Sequence, residues 1–123
     1  MQLPPPQIAE HIAARAKAAD NGTAAVIATD VRGNIMYWNA NATALYGSSA
    51  DDALGTNILD VTPTRNSSDE AAHIMESLRR GETWEGQFIV RHKDGTPLLV
   101  HVVDIPVRHN DDVVGIIGIS HRA

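Results

Sequence analysis

The sequence of 123 residues contains no cysteine. Disulfide bonds are therefore excluded, and so are thiolate nucleophiles and zinc sites built from cysteine. The sequence also lacks a Gly-rich phosphate loop ending in Gly-Lys-Ser/Thr, a nucleophile elbow and a spaced Ser/His/Asp set. Nothing in the chain supports catalysis, and we expect the domain itself not to be an enzyme.

An excess of positive charge is absent as well. The formal net charge is -5, from 10 Lys and Arg against 15 Asp and Glu. Nucleic-acid binding usually needs a basic stripe that neutralises phosphates, so nucleic acid is not an expected partner. The adjacent pair Arg79-Arg80 falls near the end of a predicted helix, where cations complement the helix dipole.

Long apolar runs are missing, because no stretch approaches the roughly 20 residues that cross a bilayer as a helix. The N-terminus has prolines at positions 4–6 and no basic segment followed by an apolar one, so it does not read as a signal peptide. We therefore expect no membrane insertion by this segment and a cytoplasmic location.

Metal ligands with useful spacing are not evident. The six histidines are His11, His73, His92, His101, His109 and His121. They form no pair four residues apart and no His-Glu-x-x-His motif, so a metal site is not predicted.

What the chain does contain begins with a helical segment over residues 7–19, rich in alanine and stopped by Asp20-Asn21-Gly22. Ile8, Ile12 and Ala16 recur at four-residue spacing and form a narrow apolar stripe. Two interpretations are open: the stripe docks on the domain's own sheet, or it pairs with a second copy of itself. We divide the chain into residues 1–22, an amphipathic helix and linker, and residues 23–123, the main domain.

The main domain shows two strands, four helical segments and three strands in that order. Asp30-Val31-Arg32-Gly33 and Lys93-Asp94-Gly95 read as tight turns between strands. Asn39 suits a helix N-cap, and Gly47 suits a helix end. With no internal repeat, this pattern indicates an α+β domain with one antiparallel sheet.

Four segments in the correct order resemble a PAS domain. They are ATDVRGNIMYWNANATALYG, SSADDALGTNILD, ETWEGQFIVRHKDG and VVGIIGIS. The resemblance covers residues 24–120 and implies a five-stranded sheet in the order 2-1-5-4-3. It also implies helices packed on one face, with a pocket between them and the sheet. The function implied is that of a sensory and interaction module in a sensor kinase, a cyclic-dinucleotide enzyme or a transcription regulator.

Two departures from the family pattern matter. Many PAS domains end the last strand in Asp-Ile-Thr, whereas here Ile119-Ser120 is followed by only three residues, which favours a segment cut from a longer sensory protein. Light-sensing relatives carry Gly-x-Asn-Cys where this chain has Gly55-Thr56-Asn57-Ile58. Without the thiol, the cysteinyl-flavin adduct cannot form.

The resemblance also predicts which residues line the ligand pocket. They are Ile27, Thr29, Tyr37, Asn57, Ile58, Val61, Ile74, Leu78, Phe88, Val90, Val102, Asp104, Ile116 and Ser120. Ser120 stands where light-sensing relatives use a glutamine. Asp104 either faces the pocket, with Thr29, Asn57 or a ligand as hydrogen-bond donor, or lies exposed at the rim.

The ligand is not specified by these residues. A small apolar or mixed ligand, or none, is the leading expectation. The alternatives are a flavin or heme sensor and a ligand-free dimerisation module. His73 lies near the heme-ligating helix position of the family but is offset by about one turn. Trp84 occurs in a segment shared with flavin-binding PAS domains, but it is more typical of core or rim packing.

The neighbours Tyr37 and Trp38 must face opposite sides of a regular strand. We expect Tyr37 to point into the pocket with Ile27. An outward Trp38 would then be covered by the N-terminal helix or by a partner. Trp38 belongs to the predicted interface of a homodimer that signals to an output domain. The other residues of this interface are Ile8, Ile12 and Ala16.

Overall fold

The computed structural model describes residues 5–61 and 68–123, with side chains from residue 73 onward in the second range. The helices are α1 Pro6–Ala19, α2 Ala40–Tyr46, α3 Ala50–Ala53, α4 Ile58–Val61 and α5 Ser68–Arg79. The strands are β1 Ala25–Asp30, β2 Ile35–Trp38, β3 Trp84–Arg91, β4 Pro97–His109 and β5 Asp112–Arg122. The sheet order β2-β1-β5-β4-β3, with every pair antiparallel, confirms the predicted architecture.

The turn after β1 is built around the carboxylate of Asp30. One of its oxygens accepts hydrogen bonds from the backbone N–H groups of Arg32 and Asn34, both at 2.9 Å. Its other oxygen accepts from the side-chain amide of Asn34 at 2.7 Å. Gly33 has φ +90°, a conformation that favours glycine. The Asp-first, Gly-last pattern therefore forms the predicted reversal.

Asn39 joins three elements at the start of α2. Its side-chain oxygen accepts from the N–H of Ala42, as an N-cap does, and from the N–H of Val26 in β1. Its amide nitrogen donates to the carboxylate of Asp20 at 3.1 Å and to the carbonyl of Ala24 at 3.0 Å. One amide thereby satisfies backbone groups of β1 and α2 and binds the residue that ends α1.

Helix α1 packs on the outer face of the sheet, opposite the other helices. Ile12 and Ala16 are fully buried there, in a cluster with Val26 and Ile117. Gly115 permits the approach, because a Cβ at that position would lie 2.9 Å from Cδ1 of Ile12. Of the two interpretations of the apolar stripe, the structure adopts docking within the chain, which leaves Ile12 and Ala16 covered by the chain's own sheet.

The predicted orientations of Tyr37 and Trp38 are wrong, because β2 contains a bulge. Ala28 pairs with Tyr37 and Thr29 with Ile35, so Met36 is an extra residue in the ladder. Tyr37 therefore faces outward, where its hydroxyl donates to Asp20 at 2.8 Å. Its hydrogen bond holds the pKa of the Asp20 carboxyl below the usual value.

Trp38 accordingly lies on the inner face, where it is buried and packs beside Tyr46 with ring centroids 5.9 Å apart. Its indole N–H donates to the hydroxyl of Thr43 at 3.0 Å and to the carbonyl of Ser48 at 3.1 Å. It is part of the core and cannot serve the predicted dimer interface.

Among the helices in the described ranges, none has the length and apolar character needed to cross a membrane.

Replacement of Ile12 by alanine should test the docking of α1. We expect the free energy of unfolding to fall by about 2–5 kcal/mol, because a fully buried side chain leaves a cavity. Urea denaturation measures this loss. The control is Val31→Ala at a position that is 38 % exposed, which should change stability by no more than about 0.5 kcal/mol. Equal effects of the two variants would contradict the docking.

Replacement of Asn39 by alanine should lower the free energy of unfolding by more than the removal of an ordinary helix cap does. We expect a loss of about 2–3 kcal/mol, because the variant leaves the N–H groups of Val26 and Ala42 without their acceptor. Ser49→Ala is the comparison: Ser49 caps α3 through one bond to Asp52, and its loss should cost about 1 kcal/mol. Urea midpoints that fall equally for both variants would show that Asn39 acts as a cap alone.

Candidate functional site

A cavity of about 250 Å³ lies between the inner face of the sheet and helices α4 and α5. Its walls are mostly apolar side chains from β1, β3, β4 and β5 on one side and from the two helices on the other. The described lining residues are Ile27, Thr29, Asp30, Gly33, Tyr46, Ile58, Leu59, Ile74, Met75, Leu78, Phe88, Val90, Val102, Asp104, Ile116, Gly118 and Ser120. The volume lies just below the range of roughly 300–1,000 Å³ that is typical of pockets for drug-sized ligands.

Most of the positions predicted for a pocket meet around this cavity. They are Ile27, Thr29, Ile58, Ile74, Leu78, Phe88, Val90, Val102, Asp104, Ile116 and Ser120. Strict alternation in β4 places Val102 and Asp104 on the same face, and their antiparallel partners in β5 are Ser120 and Gly118. That these residues bind a ligand remains a prediction.

Three predicted positions do not line the cavity. Tyr37 is on the outer face for the reason given above. The amide nitrogen of Asn57 donates to the carbonyl of Arg32, and its oxygen accepts from the N–H of Leu59, so this side chain closes a turn. Val61 packs against the inner core cluster beside the cavity.

Six lining residues were not predicted: Asp30, Gly33, Tyr46, Leu59, Met75 and Gly118. Tyr46 is the most consequential, since it is buried and carries a polar group. The spacing of α2 contained a signal for it, because Ala42, Leu45 and Tyr46 are the buried positions of one helix face.

Asp104 projects into the cavity from the middle of β4. No described residue donates a hydrogen bond to its carboxyl group, so neither Thr29 nor Asn57 serves as the partner considered above. Burial raises the pKa of Asp104 to about 7, because removal from water disfavours the charged form. Asp104 is therefore divided between carboxylic acid and carboxylate at neutral pH.

Tyr46 and Ser120 form a polar pair on the wall of the cavity. The Tyr46 hydroxyl and the Ser120 hydroxyl are 2.9 Å apart in a buried hydrogen bond. Burial raises the pKa of Tyr46, with a smaller contribution from the negative charge of Asp104. The pair joins the end of α2 to β5, so a change at the cavity can reach both elements.

The remaining carboxylate at the cavity, Asp30, already accepts three hydrogen bonds in its own turn. The described lining residues include no lysine, arginine or histidine. Among the described residues, the cavity therefore has an apolar wall with one carboxyl group that receives no hydrogen bond from a protein donor.

A model of the PAS fold family matches residues 14–123. The chain belongs to the PAS family. PAS domains are sensory modules of signalling proteins, and the match covers α1 in part as well as the whole sheet. The boundary that we placed between residues 22 and 23 remains a prediction.

Solved structures give the same fold. The PAS domain of a protein from Colwellia psychrerythraea is 28 % identical, with TM-score 0.69, and the alignment covers 89 % of this chain and 94 % of that one. The PAS domain of an HTR-like protein from Haloarcula marismortui is 17 % identical over 93 % of both chains, with TM-score 0.70. A LOV domain from a blue-light activated histidine kinase of Erythrobacter litoralis is 16 % identical, with TM-score 0.69, over 81 % of this chain and 95 % of that one. No curated protein matches the sequence.

The described lining does not fit a flavin nucleotide. Ile58 stands at the photoreactive position and contributes only a hydrocarbon wall. A flavin nucleotide also carries phosphate, which the described walls offer no cation to bind and which Asp104 would repel.

Heme does not fit either, because none of the described lining residues is a histidine. His73 lies exposed on α5 and does not line the cavity. Within residues 5–61 and 68–123, no group of three or more acidic, histidine or cysteine side chains is placed to hold a metal ion.

Replacement of Asp104 by asparagine should stabilise the domain at high pH and not at low pH. A carboxyl with a folded pKa near 7 and an unfolded pKa near 4 destabilises the fold progressively as pH rises through that interval. Below this pH interval Asp104 is protonated in both the folded and the unfolded state, and the destabilisation vanishes. Allowing for partial solvent screening, we expect Asp104→Asn to gain on the order of 2 kcal/mol at alkaline pH.

The measurement is the free energy of unfolding of both proteins in urea across this pH range. The lowered pKa of Asp20 opposes the trend in both proteins, since it adds stability that is lost as pH falls. The difference between the two proteins therefore isolates Asp104. A difference that stays constant with pH would contradict the raised pKa.

Proposed function

We propose that this PAS domain senses a small, largely apolar molecule that binds in the cavity between the sheet and helices α4 and α5. The observation that carries the proposal is an apolar cavity of about 250 Å³ with a few convergent polar groups, at the junction of helices and sheet. Such a combination is the usual form of a small-molecule site.

The proposed signal is a shift between two arrangements of the helices over the sheet. A ligand shifts such an equilibrium only as far as it binds one arrangement more tightly than the other. Ile74 and Leu78 are the buried contacts of α5 with the cavity, and Tyr46 connects α2 to β5 through Ser120. A ligand that presses on these side chains changes the packing of both helices.

The proposal also covers the output domain to which this PAS domain signals. We infer that the domain passes its change to an output domain of a signalling protein, such as a kinase, a cyclic-dinucleotide enzyme or a transcription regulator, and that a homodimer carries the signal. PAS domains commonly dimerise and connect to output domains, which supports this part. Ile12 and Ala16 are occupied within the chain, so a dimer would use other surfaces.

A substitution that fills the cavity should abolish ligand binding. Val102 and Val103 are neighbours in β4, but only Val102 lines the cavity. In Val102→Phe the added ring occupies the ligand volume, whereas in Val103→Phe it lies on the other face. We expect wild type and Val103→Phe to retain a small molecule in native mass spectrometry, or to gain thermal stability from the small-molecule fraction of a cell extract. Val102→Phe should do neither.

Circular dichroism of each variant confirms that it is folded before the comparison is made. Retention of the same molecule by Val102→Phe and wild type would place the ligand elsewhere. Absence of both effects in the wild type would favour a ligand-free interaction module. A visible absorption band in the purified protein would instead favour the flavin or heme alternative.

A further inference from the structure

The charge of the cavity restricts what its ligand can be. Two carboxyl groups, those of Asp30 and Asp104, are among the described lining residues, and no cationic side chain accompanies them. Asp30 is held by the backbone of Arg32 and by both nitrogens of Asn34. Of these two described carboxyl groups, Asp104 is thus the one that receives no hydrogen bond from a described residue.

Apolar, anionic and cationic ligands would interact differently with the carboxyl group of Asp104. A purely apolar molecule would displace water from the carboxyl and leave it without any donor, which is costly for a buried polar group. An anion would be repelled. A cation that carries N–H donors would supply both the opposite charge and the missing hydrogen bond, and such charge-assisted bonds are the stronger kind.

Aromatic rings near Asp104 favour the same class. Phe88 and Tyr46 line the cavity, and Trp84 pairs with Asp104 across the β3–β4 ladder. The rings of Trp84 and Phe88 are in contact, with centroids 4.9 Å apart. The faces of aromatic rings attract cations, most strongly when water is excluded.

The backbone beside Asp104 leaves room for its carboxyl group. A Cβ at Gly118 would lie 3.0 Å from Oδ1 of Asp104, so a larger residue would push against the carboxyl. Glycine at this position lets the carboxylate lie over β5 and remain open to the cavity.

We propose that the ligand is a small organic cation, an amine on an apolar body, whose ammonium group binds the carboxylate of Asp104 while its body contacts the surrounding rings and aliphatic side chains. This inference rests on the proposed function, because it names the chemical class of the molecule that the cavity binds.

The proposal predicts an affinity that rises with pH. Binding of an ammonium group needs the carboxylate form of Asp104, whose population grows as the pH passes about 7. The other titratable groups among the described lining residues are Asp30, held in its turn, and Tyr46, whose raised pKa keeps its hydroxyl neutral in this range. The rise in affinity is therefore assigned to Asp104.

Three probes of one size and shape test the class: benzylamine, benzyl alcohol and benzoate, titrated by calorimetry. We expect benzylamine to bind the wild type about tenfold or more tightly than benzyl alcohol at about pH 8, with benzoate weakest. Asp104→Asn should remove this preference and leave benzyl alcohol binding in place. Glu85→Gln, at a carboxylate on the outer face of β3 that contacts His101, should keep the preference.

The outcomes separate the two proposals. If benzyl alcohol binds the wild type as tightly as benzylamine, or if benzylamine binds Asp104→Asn equally well, the cation class is wrong but the cavity still binds ligands. If none of the probes binds at any concentration that solubility allows, and the wild type retains no molecule, both proposals fail. An affinity of benzylamine that stays constant from about pH 5 to about pH 8 would also overturn the role of Asp104.

Discussion

The side chain of Asn39 fixes how the first half of the fold is assembled. Its oxygen accepts from β1 and α2, and its nitrogen donates to Asp20 at the end of α1 and to the carbonyl of Ala24. Without this side chain the N–H groups of Val26 and Ala42 would lose their acceptor at a crowded junction, which is expensive. The path of the chain from the outer helix through β1 to the inner helices therefore depends on one amide.

Helices pack on the inner face of the sheet and on the β1 and β5 part of its outer face, and the two kinds of packing differ. On the outer face, α1 fills the space above β1 and β5 tightly, with Ile12 seated over Gly115. On the inner face, the helices leave a cavity beside the core formed by Trp38 and Tyr46. Tight packing stabilises the scaffold on one side, and incomplete packing on the other leaves space for a ligand.

Asp104 opposes this stability. A carboxyl that no described residue supplies with a donor in an apolar wall costs free energy, and its burial also raises its pKa. Perturbed pKa values of this kind concentrate at binding and catalytic sites, since a residue retained purely for packing would be apolar. Under the proposed function, the cavity is a place where stability is given up for recognition.

The sequence alone determined the order of elements and the turns, and the resemblance to the PAS family supplied most of the predicted cavity wall. The turn residues Asp30, Gly33 and Gly47 act through bonds to residues within a few positions or through their own φ angles, and so does Asn39 in its role as an N-cap. Their types are therefore sufficient to predict these local roles. Alternation along β4 was sufficient to place Val102 and Asp104 together. Only the tertiary structure decided the orientations of Tyr37 and Trp38, because a bulge at Met36 arises from pairing with β1 and reverses the alternation. It likewise decided that α1 covers its own sheet and that no described residue donates to Asp104, because both depend on which residues distant in the chain come into contact.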